Sequence, residues 1–138
     1  MNSLNRFADP VYCITRLIVG LMYACHGGQK LFGFPSGAGG ATGIFLVGGW
    51  IELVCGLMIA FGFLTRVGAF IAAGEMAVAY FWMHFPHGVF AAKGAPVNGE
   101  SAVFYCWFFF FAIFYGAGRW SIDAMIGKGK TAAVASTA

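Results

Sequence analysis

Three charged side chains interrupt long apolar runs of this chain, and their chemistry sets the first question about its function. Arg16, Glu52 and Glu75 each lie well inside a stretch that is otherwise hydrophobic. A charge at the centre of a bilayer costs at least ~2.5–3.5 kcal/mol, so such residues normally face a protein interior and find partners there. Two close carboxylates rarely both ionise, so one arginine and two glutamates that meet would most simply share one proton.

The neighbours of these charges predict that the three side chains meet. Each charge lies on a helix face of small residues, and such faces let helices approach closely in lipid. The cluster could be a structural ion pair that locks the fold, a proton relay, or the site of a quinone head group. The small residues are Gly20, Ala24 and Gly28 with Arg16; Gly48, Gly56 and Ala60 with Glu52; and Gly68, Ala72 and Ala79 with Glu75.

A second group of polar residues lies where the apolar runs end. If the runs cross a membrane, these residues are expected at a similar depth, near its outer surface. The members of this group are His26, Lys30, His84, Asn98 and Glu100. Imidazole, ammonium, amide and carboxylate groups together could bind a quinone carbonyl, an anionic ligand or a metal, or could simply cap helices. No metal site is expected. His84 and His87 could share one helix face as ligands, but Pro86 is predicted to end the helix between them.

The chain as a whole has too few charged residues to form a surface that faces water. Of its 138 residues, 60% are hydrophobic and 9% are charged, whereas soluble domains carry about 25% charged residues. Four runs approach the ~20 apolar residues that a membrane crossing needs. They predict an all-α, integral membrane four-helix transmembrane bundle in one domain, residues 1–126, with a disordered tail, residues 127–138. The predicted spans are residues 10–32, 42–63, 65–85 and 98–115, and Thr65 is the expected N-cap of the third.

The distribution of lysine and arginine predicts that both termini are cytoplasmic. With that orientation the inner face carries most of the basic residues, which is the usual bias of membrane proteins. The lipid bilayer is the expected surrounding, and nucleic acid is not an expected partner because the positive residues form no basic stripe. The inner residues are Arg6, Arg66, Arg119, Lys128 and Lys130, and the outer ones are Lys30 and Lys93.

Several short motifs follow one another in a fixed order between residues 10 and 123. They are Arg16 with Gly20 and Leu21, residues 26–33, Gly43, Glu52 with Gly56 and Leu57, Gly62 with Thr65 and Arg66, residues 98–100, and residues 116–123. This pattern resembles the DoxX family of small bacterial membrane proteins. The resemblance implies a four-span bundle of the bacterial inner membrane with both termini inside. It also implies similarity to the membrane subunit of thiosulfate:quinone oxidoreductase.

The resemblance implies a redox-associated subunit of a membrane complex that interacts with quinone. Arg16, Glu52 and Glu75 would then handle the proton or the head group, with His26 and Lys30 as the outer alternative. The sequence has no flavin, iron–sulfur or metal motif, so we expect no intrinsic cofactor, and any redox cofactor besides quinone would belong to a partner. If the chain takes part in catalysis, it would be a quinone-linked oxidoreductase subunit.

Two other functions are also consistent with the sequence. A non-catalytic accessory subunit that stabilises a larger membrane complex would need only the small helix faces, which suit association with other membrane or redox subunits. A small-solute carrier or channel would use the intramembrane charges as a transport site. Because one four-span unit is small for a carrier, that function would require a homo-oligomer.

Overall fold

The computed structural model describes residues 2–85 and 99–127, and this part of the chain is helical, with no strand. Helix α1 spans Asn2–Asn5, α2 spans Ala8–Phe32, α3 spans Ile44–Phe61, and α4 spans Thr65–Ala79. A π-helical turn, Tyr80–His84, continues α4, and α5 spans Glu100–Tyr115. Residues 122–127 are also helical.

Three helical segments are long and apolar enough to cross a membrane. They are Ala8–Phe32, Ile44–Phe61 and Thr65–His84, and each boundary lies within two residues of its prediction. Helix α5 is apolar but has only 16 residues, which gives a length of about 24 Å. The predicted all-helical membrane bundle is confirmed. Asn98 and residues 128–138 of the predicted tail lie outside the described residues.

Successive long helices run antiparallel, so the start of α2 and the end of α5 lie at the same end of the bundle. The Tyr12 hydroxyl donates a hydrogen bond to the Gly116 carbonyl at 2.7 Å. Nearby, Arg119 Nε lies 2.8 Å from Asp9 Oδ2. We call this the inner end and the opposite end the outer end. That the inner end faces the cytoplasm stays a prediction.

Helices α2 and α3 touch backbone to backbone because glycines face each other. A Cβ atom added at Gly20 would lie 2.5 Å from the backbone nitrogen of Ala60, and one at Gly56 would lie 2.5 Å from that of Ala24. A Cβ atom at Gly27 would be equally close to the backbone of α3. The small faces predicted for these two helices are therefore in contact, and we call this contact the glycine seam.

Helices α4 and α5 close the bundle around the glycine seam. The Tyr23 and Phe109 rings are fully buried, with their centroids 4.7 Å apart. On the opposite faces large apolar side chains are exposed, such as Phe70 and Trp107. This inverted pattern is expected of a bundle whose surroundings are lipid.

The start of α4 is capped by a residue from the end of the chain. Leu64, with φ of 45°, is the N-cap residue, and α4 begins at Thr65. Asp123 Oδ1 accepts a hydrogen bond from Leu64 N, and its Oδ2 accepts one each from the nitrogen and the hydroxyl of Thr65. The expectation that Thr65 itself is the N-cap is wrong by one residue. A carboxylate satisfies unpaired amides at a helix start and interacts favourably with the helix dipole.

Replacing Gly56 with alanine tests the glycine seam. The added methyl meets the backbone of Ala24, which cannot move aside as a side chain can. We therefore expect the free energy of unfolding to fall by about 1–3 kcal/mol or more. The matched control is Gly74→Ala, because Gly74 lies in α4 with open space around it and alanine favours helix by about 1 kcal/mol. Thermal unfolding in detergent measures both variants. Equal midpoints for the two variants would contradict the seam.

Candidate functional site

Glu52 of α3 and Glu75 of α4 form a pair of carboxyls in the middle of the bundle, which we call the acid pair. Glu52 is near the centre of α3, and only 3% of its surface is exposed. Glu75 interacts electrostatically with both Glu52 and Lys30. A Cβ atom at Gly48 would lie 3.3 Å from Glu75 Oε1, so the missing side chain at this position makes room for the carboxyl of α4.

Each carboxyl of the acid pair has its own partner on α2. Lys30 Nζ lies 2.8 Å from Glu52 Oε1 in an ion pair, and the Tyr23 hydroxyl donates a 2.5 Å hydrogen bond to Glu75 Oε2. Tyr23 and Lys30 are seven residues apart, so they share one face of α2. This pairing is what a buried charge requires in a medium of low dielectric.

Two buried polar atoms beside the acid pair have no hydrogen-bond partner among the described residues. They are Glu52 Oε2 and the hydroxyl oxygen of Tyr105. Tyr105 comes from α5, its ring centroid lies 5.4 Å from that of Tyr23, and it interacts electrostatically with Glu52. Buried polar groups are nearly always hydrogen-bonded, and each exception needs an explanation. A donor and an acceptor together in a buried place can orient a polar ligand.

Arg16 does not join the acid pair, which corrects the expected convergence of three charges. Its guanidinium donates hydrogen bonds to the carbonyls of Ile59, Ala60 and Trp120 at the inner end. Ile59 follows Glu52 by seven residues, so about 10 Å of helix lies between them. The last carbonyls of a helix lack intrahelical donors and carry its negative dipole end. They therefore attract the arginine that the seam places beside them.

Two residues of the outer group belong to the same cluster as the acid pair. Lys30 reaches Glu52, and the exposed His26 ring meets the Tyr105 ring edge-on at 5.8 Å. Lys30 also lines a shallow cavity at the outer end, which we call the outer cavity. Gln29, residues 36–42 and Phe45 complete its lining. The intramembrane and outer sites, treated separately in the sequence, are thus connected through one lysine.

The remaining outer residues are less closely connected to the cluster. His84 is half-buried at the end of the π-helical turn. A Cβ atom added at Gly99 would lie 3.1 Å from the Cβ atom of His84. Glu100 is exposed in the first turn of α5. Asn98 lies outside the described residues, so its predicted place in the site is not described.

Sequence reasoning missed Tyr23 and Tyr105, which supply the hydroxyls of the cluster. Tyr23 could have been found, because it lies seven residues before Lys30 and next to Ala24 of the small face. Nothing in the sequence of α5 distinguishes Tyr105 from the aromatic residues around it, and its role depends on how α5 packs.

A model of the DoxX family matches residues 11–85, which include Tyr23, Lys30, Glu52 and Glu75. An uncharacterized protein of Haemophilus influenzae is 36% identical over 133 residues, which cover 89% of this chain and 96% of the relative. An uncharacterized membrane protein of Mycobacterium tuberculosis is 31% identical over 139 residues, covering 88% of this chain and 84% of the relative. No solved structure matches this chain.

Replacing Lys30 with methionine tests the buried ion pair. It leaves Glu52 buried without a cation, so we expect a loss of up to about 3 kcal/mol in the free energy of unfolding. Adding Glu52→Gln should restore much of it, because no carboxylate is then left unpaired. Arg119→Met, at the exposed pair with Asp9, is the control and should cost at most about 1 kcal/mol. Denaturant unfolding in detergent measures the free energy of unfolding of the wild type and the three variants. A double variant no more stable than Lys30→Met would contradict the pairing.

Proposed function

The chain belongs to the DoxX family, and from this premise we propose that it is a redox-associated subunit of a complex in the bacterial inner membrane. In this proposal it binds the head group of a quinone beside the acid pair. The observation that carries the proposal is that two buried atoms, Glu52 Oε2 and the Tyr105 hydroxyl oxygen, have no hydrogen-bond partner within residues 2–85 and 99–127. They supply one acceptor and one donor within a cluster built from α2, α3, α4 and α5.

The donors and acceptors of the cluster fit the two forms of a quinone. The carbonyl oxygens of the oxidised form accept hydrogen bonds, and the Tyr105 hydroxyl and the Lys30 ammonium can donate them. The hydroxyls of the reduced form donate, and Glu52 Oε2 can accept. The aromatic rings of Tyr23 and Phe109 border the cluster. Apolar walls with a few placed polar groups are the usual features of a small-molecule site.

The acid pair would hold the protons of this reaction. Reduction of a quinone to a quinol takes up two electrons and two protons. In the proposal the electrons come from a redox cofactor of a partner subunit, and Glu52 and Glu75 hold the protons. The Tyr23 hydroxyl, bonded to Glu75, fixes the direction in which that carboxyl points. Positioned carboxyls of this kind are what proton transfer at a reacting oxygen requires.

A groove on the lipid-facing side of α2 offers a route for the isoprenoid tail. Ile18, Leu21, Met22 and Cys25 form its apolar part, and His26 and Gln29 line its outer end. The edge contact of His26 with Tyr105 places the polar end of the groove next to the cluster. A quinone dissolved in the membrane could therefore keep its tail in lipid while its head group binds among the helices.

Titration of the purified protein with a short-chain quinone, followed by intrinsic fluorescence, tests the proposal. Tyr105→Phe removes a donor to the quinone carbonyls and should weaken binding of the oxidised form roughly tenfold, since a hydrogen bond contributes about 1 kcal/mol or more. Glu52→Gln replaces the carboxylate acceptor with a neutral amide and should weaken binding of the reduced form, titrated in the same way. Matched controls are Tyr115→Phe, whose hydroxyl faces Asp9 at the inner end, and Glu100→Gln, whose side chain is exposed. Both controls should bind as the wild type does.

The same preparation distinguishes the other functions. No quinone binding by the wild-type protein, or equal weakening in the two controls, would contradict the proposed site. A stoichiometric membrane partner in a preparation that binds no quinone would favour the accessory subunit. A homo-oligomer that binds no quinone and moves a solute across vesicles would favour the carrier.

A further inference from the structure

We propose that the acid pair exchanges protons with the outer side of the membrane alone, so that the outer half of the bundle is a proton half-channel. This inference concerns the path of the proton and holds whether or not a quinone is the ligand. It rests on three features along the bundle: a cation above the acid pair whose side chain also reaches the outer cavity, tight packing below the acid pair, and a positive charge held by backbone carbonyls at the inner end.

The outer connection runs through Lys30. Its side chain is 35% exposed and lines the outer cavity, while its ammonium reaches Glu52. The loop around it folds back on α2, with Ala41 N donating to the Lys30 carbonyl and Gly40 N to that of Leu31. A proton from water in the outer cavity neutralises the Glu52 carboxylate. The Lys30 ammonium, released from the ion pair, turns towards the cavity, since its long stem lets the charge move.

The inner half of the bundle is closed by packing. Between the acid pair and the inner end, Gly20 and Gly56 bring the backbones of α2 and α3 into contact. Tyr23, Ile59 and Phe109 are fully buried around this contact. Interiors packed in this way contain few voids as large as a water molecule. A chain of water from the acid pair to the inner end therefore has no room along the seam. The seam continues past the acid pair at Gly27, so the outer connection is the Lys30 side chain and not a gap between α2 and α3.

A fixed cation adds an electrostatic barrier to the steric one. The Arg16 guanidinium is only 2% exposed and lies between the acid pair and the inner surface, bonded to the carbonyls of Ile59, Ala60 and Trp120. A buried arginine repels protons and other cations, which is one way membrane pores exclude them. Its ties to three backbone groups hold it in place, unlike Lys30.

The groups that face the acid pair come from every helix around it. Helix α2 contributes Lys30 and Tyr23, α3 contributes Cys55, and α5 contributes Tyr105. Of these, Lys30 is the cation, and it is also the group that reaches the outer cavity. Acidification of the outer side should therefore protonate Glu52 and release Lys30. Alkaline conditions on that side should restore the ion pair.

Sided pH steps on quinone-free proteoliposomes test the inference. A cleavable tag at the C terminus establishes which way the protein is inserted, and impermeant buffers set the pH on each side. Dicyclohexylcarbodiimide, which crosses lipid and reacts with protonated carboxyls, labels Glu52 and Glu75, and peptide mass spectrometry measures the rate. We expect a severalfold faster reaction when the side opposite the termini is acidified, and no change when the other side is. The inference would be overturned if the labelling rate responds to the inner pH, responds equally to the pH on both sides, or responds to the pH on neither side.

Three variants assign the parts of the path. In Lys30→Gln no cation favours the ionised form of Glu52, so labelling should already be fast at alkaline outer pH. Arg16→Met removes the barrier charge and should add a response to inner pH, whereas Arg16→Lys keeps the charge and should retain the outer response alone. Equal inner responses in the two arginine variants would overturn the role of the charge. Because no quinone is present, these results are independent of the binding titration.

Discussion

The backbone contact between α2 and α3 is the constraint on which the other features depend. Because glycines leave no side chain between the helices, the two backbones interdigitate and their relative height is set to within less than one turn. That register places Lys30 within reach of Glu52 and Arg16 beside the last carbonyls of α3. A slide of one helical turn, about 5.4 Å, would break both interactions at once. Close packing and the pairing of buried charges thus support the same arrangement.

Arg16 and Lys30, the two basic residues beside the seam, are stabilised within the membrane by different kinds of partner. Arg16 has a rigid fork of donors, which suits several carbonyls at a helix end. Lys30 carries a compact charge on a flexible stem, which suits one carboxylate oxygen and leaves the ammonium able to turn towards water. Arginine at the inner end therefore stabilises the fold, and lysine at the outer end connects the acid pair to the surface. Exchanging the two residue types would lose both properties.

Composition and spacing were enough to predict the helices and much of their packing. Apolar runs predicted the spans, and the small faces that include Gly20 and Gly56 predicted the seam, because both depend on periodicity along one helix. Glu52 and Glu75 could be placed at one depth for the same reason. The partner of Glu52 could not be predicted in the same way, since it depends on the register between two helices. Arg16 is the predicted cation, whereas the structure has Lys30 in that place. The hydroxyl of Tyr105 also depends on the rotation of α5, which a uniformly aromatic stretch does not reveal.

The contrast between Asp123 and the acid pair bears on the role of the acid pair. At the inner end, both oxygens of Asp123 accept hydrogen bonds, from Leu64 and Thr65, as expected of a group selected for stability. In the acid pair, Glu52 is more deeply buried, yet one of its oxygens has no partner within the described chain, and neither has the nearby Tyr105 hydroxyl. Unpaired buried polar atoms destabilise a fold. Arg16 Nε is another such atom within the described chain, so the proposal of a ligand or an exchanging proton at the acid pair rests on the combination of these atoms with a cation that reaches the surface.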